Sequence, residues 1–286
     1  MASLRDIRQK IGGVSTTQQI TSAMKMMSTA RLGRAIEAIN LTHAYISKFE
    51  HMVLDLKTEL PDFKHPCMVA RPVRSSCIIV IGGERGLCGG FNHDLNRFAK
   101  GVIEENTAPD KKLVVIGRKA IRFFEQKGIA MHTTFPDLTM KTLDNELFNA
   151  SRTLFELYRS EEVDEINLVY TSFASAVSRY LTSIRLLPID ISTLPPKPPT
   201  KVLLPFDFYP SPQEIFNQLM PRYLRNLLYR AIVESSASEQ SARMAAMTSA
   251  TDRAQEIIEE LKLDLNRSRQ ALITREIAEV ISGSQA

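Results

Sequence analysis

The chain has 286 residues, 44 % hydrophobic and 24 % charged, enough for one sizeable core with an extended element or for two small domains. The net charge of +4 is too mild to imply nucleic acid, and no run of 18 apolar residues is present to span a membrane. Three cysteines, Cys67, Cys77 and Cys88, are odd in number and sit in no CxxC, which argues against a disulfide framework and a structural zinc site.

Met1-Ala-Ser-Leu-Arg-Asp-Ile-Arg lacks the apolar core of a secretory signal, and helical patterning begins at about Leu4. A reduced, cytoplasmic protein without a transit peptide is expected. Leu4, Ile7, Ile11 and Val14 step by 3 and 4, as one face of a helix does. The rhythm weakens at Gln18 and Thr21 and is expected to resume near Ile20, Met24 and Met27. Ile39, Thr42, Ile46, Phe49, Val53, Leu56 and Leu60 then follow the 3.5-residue repeat of a coiled-coil seam. Gly12 and Gly13 each cost about 1 kcal/mol against Ala in such a helix, so a soft spot or close packing is expected there.

All 14 prolines lie between Pro61 and Pro221. Proline breaks helices, so its crowding here and its absence outside divide the chain into three parts: a helix over 1–60, a central domain with a Pro-rich linker over 61–210, and a helix over 211–286. In the middle part, strands are expected at Cys77–Ile81, Leu113–Ile116, Glu165–Phe173 and Tyr180–Ile189. Helices are expected at Asn92–Glu105, Arg118–Lys127 and Leu143–Tyr158. The alternation implies an α/β fold with a mostly parallel sheet, Rossmann-like in its order. Pro195-Pro-Lys-Pro-Pro199 marks a stiff linker.

Ser211 can cap the last helix, with Pro212 in its first turn, and Pro221 predicts a kink or break. Ile258, Leu261, Leu265, Ser268 and Leu272 keep heptad steps. Before them, Ser235, Ser236, Ala237, Ser238, Ser241, Ala242, Ala245, Ala246, Ser249 and Ala250 form a small-residue stretch that would let two helix backbones approach closely. At 1.5 Å per residue, terminal helices of this length would reach roughly 85–95 Å. Such rods need a partner, and antiparallel pairing of the two ends is the economical solution.

Candidate chemistry is sparse. Gly82-Gly-Glu-Arg-Gly-Leu-Cys-Gly-Gly90 lies where a phosphate loop would, after a strand and before a helix. It lacks the GxxxxGK[ST] of a P-loop and the two-apart glycines of a dinucleotide loop. A tight turn needing positive φ is preferred. Cys88 has no catalytic signature with His93 and is read as a packed thiol. The histidines at 43, 51, 65, 93 and 132 show no HxxxH spacing, and His43 and His51 fit a solvated helix face. Asp207 and Glu214 flank an aromatic loop and carry no acid–base signal. Residues 1–35 hold Arg5, Arg8, Lys10, Lys25, Arg31 and Arg34 against Asp6 alone, with no interleaved aromatic residue. They are either a solvated face or a cationic sleeve for acidic protein loops. Arg243, Arg267, Arg269 and Gln270 form a similar group.

Three collinear blocks carry a resemblance. They are Ser3–Ser28 with its Ile-Thr-Ser-Ala-Met-Lys-Met core, Glu84-Arg-Gly-Leu-Cys-Gly-Gly-Phe-Asn92, and Glu234–Thr251 continuing into Leu265–Gly283. Together they resemble the gamma-subunit family of F-type ATP synthases, of bacterial type, over the whole chain. The resemblance implies a long antiparallel coiled coil of the terminal helices below which sits the central α/β domain. It implies a rotor shaft that couples ion-driven c-ring rotation to the catalytic beta subunits, with no catalytic residues, cofactor or metal of its own. Implied partners are three alpha and three beta subunits, the epsilon and delta subunits and the c-ring, with neither nucleic acid nor direct membrane insertion. The implied place is the cytoplasmic face of the cell membrane. By position, Met24, Lys25, Arg243, Arg269, Gln270 and Thr274 are implied contacts to the beta subunit, with an apolar tip around Ile277 and Val280. Glu84 departs from the family's usual Asp and Met27 from its common Val. The inserted cysteine pair of the chloroplast type is missing. Two other classes stand beside this reading: a nucleotide-using enzyme on the central sheet, and a free-standing coiled-coil scaffold or nucleic-acid binder.

Overall fold

A computed structural model describes residues 4–136, 143–193 and 209–284. The Pro195–Pro199 linker and Asp207 lie outside them. Two compact units are present: Met1–Ala30 with Arg243–Ala286, and Arg31–Ala242.

The elements in chain order are helix α1 (Leu4–Glu59), strand β1 (Ser75–Ile81), α2 (Phe91–Glu105), β2 (Asp110–Ile116), α3 (Arg118–Gln126), β3 (Thr133–Phe135), α4 (Leu143–Arg159), β4 (Glu165–Phe173), β5 (Arg179–Leu187) and α5 (Pro212–Ser284). Short 3₁₀ turns at Pro66–Met68 and Ile191–Thr193 complete them. Every expected strand and helix is present, and the three-residue β3 and both 3₁₀ turns are additions too short to leave a periodic signal.

The sheet of the larger unit runs β3-β2-β1-β4-β5. The first four strands are parallel and β5 is antiparallel to β4. Five residues, 174–178, join β4 to β5, far too few for a parallel crossover. Successive side chains of a strand face opposite ways, and β1 uses both faces. Cys77, Ile79 and Ile81 pack with Phe49, Val53, Leu154, Phe155 and Phe216 of α1, α4 and α5. Ile78 and Val80 pack with Phe91, Leu95, Ala120 and Phe124 of α2 and α3. Helices therefore cover both faces, which is why Cys77–Ile81 is apolar without alternation and β1 is buried along its whole length.

The seam expected on α1 is observed: Thr42, Ile46, Phe49, Val53 and Leu56 are buried, and Leu60 lies just past the helix end. Phe49 stacks on Tyr223 at 4.0 Å, and Phe216 tilts against Phe49 and Phe63 at 6.4 and 5.4 Å. Burying each such side chain contributes about 1.5–3 kcal/mol.

Ser211 caps α5 as expected, its Oγ accepting the Glu214 amide at 3.3 Å. The break expected at Pro221 does not occur. Met220, Tyr223 and Leu224 are buried on either side and hold the helix through the missing hydrogen bond. At Gly12 and Gly13 an added Cβ would meet nothing within 4 Å, so close packing does not explain them.

Asp164, at the amino edge of the sheet, ties down the entering chain. Its Oδ2 accepts the amides of Arg74 and Ser75 at 2.7 and 3.0 Å, and its Oδ1 accepts Arg71 Nε at 2.7 Å. Burial alone would raise its pKa; those amides and the guanidinium outweigh it and hold the carboxyl below its ordinary value. Arg71 also lies over the Tyr158 ring, 4.5 Å from the centroid.

Candidate functional site

In an open parallel sheet, ligands bind beyond the carboxyl ends of the strands where the chain order reverses. Here that point lies between β1 and β4, whose connections leave in opposite directions. The crevice is filled by the protein's own α5. Ser235 Oγ donates to the Ile81 carbonyl at 3.3 Å. Ser238 Oγ shares its proton between the carbonyls of Thr171 and Ser172, at 3.4 and 3.3 Å. Ser241 Oγ donates to the Ala176 carbonyl in the β4–β5 turn. Steps of three keep these hydroxyls on one broad helix face. They satisfy carbonyls at the strand ends that the ladder leaves over.

A buried carboxylate, paired with the half-buried Arg230, flanks them. Glu234 accepts Arg230 Nε at 2.7 Å and the Ser172 hydroxyl at 2.9 Å. The neighbouring Tyr170 hydroxyl is pushed up to about 12, first by burial and then by the Glu234 charge. The first part of the small-residue stretch therefore serves a contact other than the helix pairing expected, while Ala246 and Ala250, further on, are half-buried. Ser235, Ala237, Ser238, Ser241 and Ala242 are buried at the strand ends of the sheet domain, while Ala245 and Ser249 are exposed. Side chains larger than Ser could not lie so close to the strand-end backbone.

The glycine-rich turn abuts this region. Its glycines serve close approach more than backbone freedom. A Cβ on Gly82 would overlap the Ala120 methyl, and one on Gly83 would overlap the Asn92 amide and lie 3.3 Å from Glu239 Oε2. Within the turn, positive φ falls on Gly89 (φ 57°) and Leu87 (φ 60°). Leu87 is a bulky residue in the left-handed region and is 65 % exposed. Cys88 is buried and receives the Asn92 amide on its sulfur at 3.1 Å, while His93 points to solvent. The packed-thiol reading fits that placement. Burial pushes the Cys67 and Cys77 thiols up to about 12. Among the described residues, no group of three or more His, Cys, Asp and Glu is placed to hold a metal, and no helix is long and apolar enough to cross a membrane.

In the smaller unit the two terminal helices pair. Gln18 Nε2 donates to Gln255 Oε1 at 2.8 Å, and the hydroxyls of Thr21 and Thr251 meet at 2.7 Å. Three residues forward on α1 correspond to four back on α5, so the helices run antiparallel. The seam passes through Ile7, Gln18, Thr21 and Ser28, with Ala254 and Ile258 opposite in register. The rhythm does not weaken at Gln18 and Thr21; it turns polar. Ile20 and Met27, expected to carry it on, are 56 % and 52 % exposed.

Of the implied contact residues, Lys25, Arg269, Gln270 and Thr274 are exposed and Met24 is half-buried. The Thr274 hydroxyl donates to the Gln270 carbonyl at 2.9 Å, fastening the side chain to its own helix. Arg243 differs: it is 4 % exposed. From the register of the coil, Met24 and Lys25 lie level with residues near 248, roughly 30–40 Å along the axis from Arg269–Thr274. The structure makes two patches of them. Arg5, Arg8, Lys10, Lys25, Arg31 and Arg34 are all exposed. The serine contacts at 235, 238 and 241, the Glu234 pair and the Thr21–Thr251 pair escaped the sequence reading. Strict heptad counting from Ile7 would have found the last of these.

A filled switch point in one unit and an antiparallel helix pair in the other define a class: coiled-coil subunits that carry an α/β domain closed to ligand at its usual crevice. A family model described as ATP synthase matches residues 3–286. The ATP synthase gamma chain of Desulfitobacterium hafniense is 39 % identical over 286 residues, covering 100 % of this chain and 99 % of that one. That of Heliobacterium modesticaldum is 37 % identical over 293 residues, with 100 % and 99 % covered. Chains of the Euglena gracilis mitochondrial ATP synthase and of the central stalk and c-ring of the Tetrahymena thermophila enzyme share the fold. Their TM-scores are 0.66 and 0.63 at 19 % and 20 % identity, covering 99 % and 81 % of this chain and 94 % and 99 % of theirs. The chain belongs to the ATP synthase gamma-chain family.

Proposed function

We propose that this chain is the central rotor shaft of an F-type ATP synthase. The helix pair turns inside a ring of three alpha and three beta subunits. The sheet domain joins it to the epsilon subunit and the c-ring, and the delta subunit belongs to the same complex. The assembly sits on the cytoplasmic face of the cell membrane. The chain transmits rotation and performs no chemistry itself. The working parts are the helices of 1–60 and 211–286 and the central domain of 61–210.

The observation that carries this reading is the filled switch point. An α/β domain that has given its ligand crevice to its own long helix is built for mechanical attachment. The polar, exposed character of the coil supports a body that slides against a sleeve without fixed apolar contacts. Met24, Lys25, Arg243, Arg269, Gln270 and Thr274 are the contacts proposed for the beta subunits, and of these Lys25, Arg269, Gln270 and Thr274 are exposed. The test is the ATPase purified from membranes with this chain as its gamma subunit. Arg269→Ala and Gln270→Ala are expected to lower ATPase turnover and ATP-driven ion pumping together, by several-fold, since a charge-assisted hydrogen bond contributes about 1.5–3 kcal/mol. Unchanged rates in both variants would remove these residues from the working surface. Absence of the wild-type chain from the complex would remove the rotor reading itself.

A further inference from the structure

We infer that the contact between α5 residues 234–241 and the carboxyl ends of β1 and β4 is the torsional joint of the sheet domain: it fixes the sheet to the shaft helix so that the two turn as one body. The inference rests on the rotor reading and adds the residues that carry torque.

Three features converge there. First, the contact is made of directional bonds. Greasy helix–sheet packing resists separation but permits sliding, whereas hydrogen bonds from Ser235, Ser238 and Ser241 to the carbonyls of Ile81, Thr171, Ser172 and Ala176 fix angle and register. Second, the bonds engage three separate pieces of backbone: the end of β1, the end of β4 and the β4–β5 turn. A helix held at one point can swivel; one held at three cannot. Third, the Glu234 carboxylate is 3 % exposed and clamped between Arg230 and Ser172. Shearing the helix along the sheet would carry Glu234 and Arg230 together but strip the buried carboxylate of the Ser172 hydroxyl, and a charged acceptor left short of a partner costs more than a lost neutral bond. The serine hydroxyls face the strand ends and not the preceding turn of their own helix, where Ser side chains commonly bond. The helix thereby spends its polar groups on the joint.

The test uses the assembled membrane complex with the triple variant Ser235→Ala, Ser238→Ala, Ser241→Ala. Alanine is a better helix former, so α5 itself is retained. ATP hydrolysis is expected to continue near the wild-type rate. Ions pumped per ATP are expected to fall about twofold or more as the joint yields under load. Amide exchange at residues 174–178 is expected to rise about 2- to 10-fold, the range corresponding to lost side-chain hydrogen bonds. Ser249→Ala, an exposed small residue further along the same helix, serves as control and should change neither. If the triple variant does not assemble, Ser238→Ala alone is measured in the same way. Unchanged pumping per ATP overturns the joint, whatever the exchange shows. A wild-type chain that never enters an ATPase complex overturns the rotor reading instead, before any variant is made.

Discussion

Residues Pro212–Ala242 and Arg243–Ser284 belong to one helix, yet the two stretches are held by different means. In the first, α5 buries Phe216, Met220, Tyr223, Leu224 and Leu228 in a large core and fastens its serines to strand ends. In the second it meets one helix along a narrow seam. Ala254 and Ile258 are buried, Leu261 and Leu265 half-buried, and between Leu272 and Val280 the described side chains are exposed, reaching 72 % at Val280. Burial scales with the number of elements a helix packs against, so stability is concentrated in the first stretch. A shaft needs such a division: a stiff attachment at one part and a slim surface at another that does not adhere to what it turns in.

The largest expected difference comes from truncating equivalent seam positions. Phe216 is fully buried and makes aromatic contacts with Phe49, Phe63 and His65, so Phe216→Ala should cost about 3–5 kcal/mol. Leu265 is half-buried on a two-helix seam, and Leu265→Ala should cost about 1 kcal/mol. Urea unfolding of the full chain, followed by far-ultraviolet circular dichroism, measures both. Equal losses would mean that the two stretches are not held differently.

What the sequence disclosed follows the same division. The Phe49–Leu56 seam and the strands β1, β2 and β4 were legible because core burial selects for apolar residues at a fixed period. The polar part of the coil was not, because Gln18, Thr21 and Ser28 keep the heptad spacing while breaking the apolar pattern. Nor was the plug: a run such as Ser235–Ser241 shows that something approaches closely without naming it. The strand ends that meet it are more than sixty residues away in the chain. The glycine turn was placed correctly as architecture, but which residue takes the left-handed backbone depends on the packing around it. Leu87 occupying that region has no sequence signature.

A smaller effect should separate the regions by pH. His65 belongs to the larger unit, stacked on Phe63 and tilted against Phe216. Its Nδ1 accepts the Cys67 amide at 3.2 Å, which sets the proton on Nε2, facing Asn217 Oδ1 at 3.3 Å. Burial lowers its pKa from the ordinary 6.5, more than the Asn217 bond raises it. The unfolded chain therefore binds the proton more readily than the folded one. Stability is fully present above about pH 6.5 and falls as the pH drops from there toward the folded value. The urea midpoint should be lower at pH 5.5 than at pH 7.5, and His65→Gln should remove that component. The same pH change should leave the pairing of the smaller unit untouched, since the Gln18–Gln255 and Thr21–Thr251 bonds join uncharged side chains and no histidine takes part. A midpoint shift that survives His65→Gln would place the sensitivity elsewhere.

The smallest effect tests the polar centre of the coil. Thr21 Oγ1 lies within reach of the Gln18 carbonyl at 3.0 Å, Thr251 Oγ1 of the Met247 carbonyl at 2.8 Å, and the two hydroxyls of each other at 2.7 Å. Two hydroxyl protons cannot make three bonds at once. One bond is always unmade, and either residue can rotate its proton back to its own helix when the partner is gone. The coupling energy from a double-mutant cycle of Thr21→Val and Thr251→Val should therefore be below about 1 kcal/mol. The double variant should be as stable as the wild type or more so, because two methyls replace two desolvated hydroxyls in the seam. What it should lose is register. A polar pair matched across the seam penalises sliding by a half-heptad, and valine does not. Cysteines introduced at Gln18 and Gln255 read this out. In the wild-type seam they should oxidise to one cross-linked product, and in the double-valine background the yield should drop while far-ultraviolet helicity stays constant. Undiminished yield would show that the apolar positions alone set the register, and that the polar seam serves only to keep this part of the shaft weakly held.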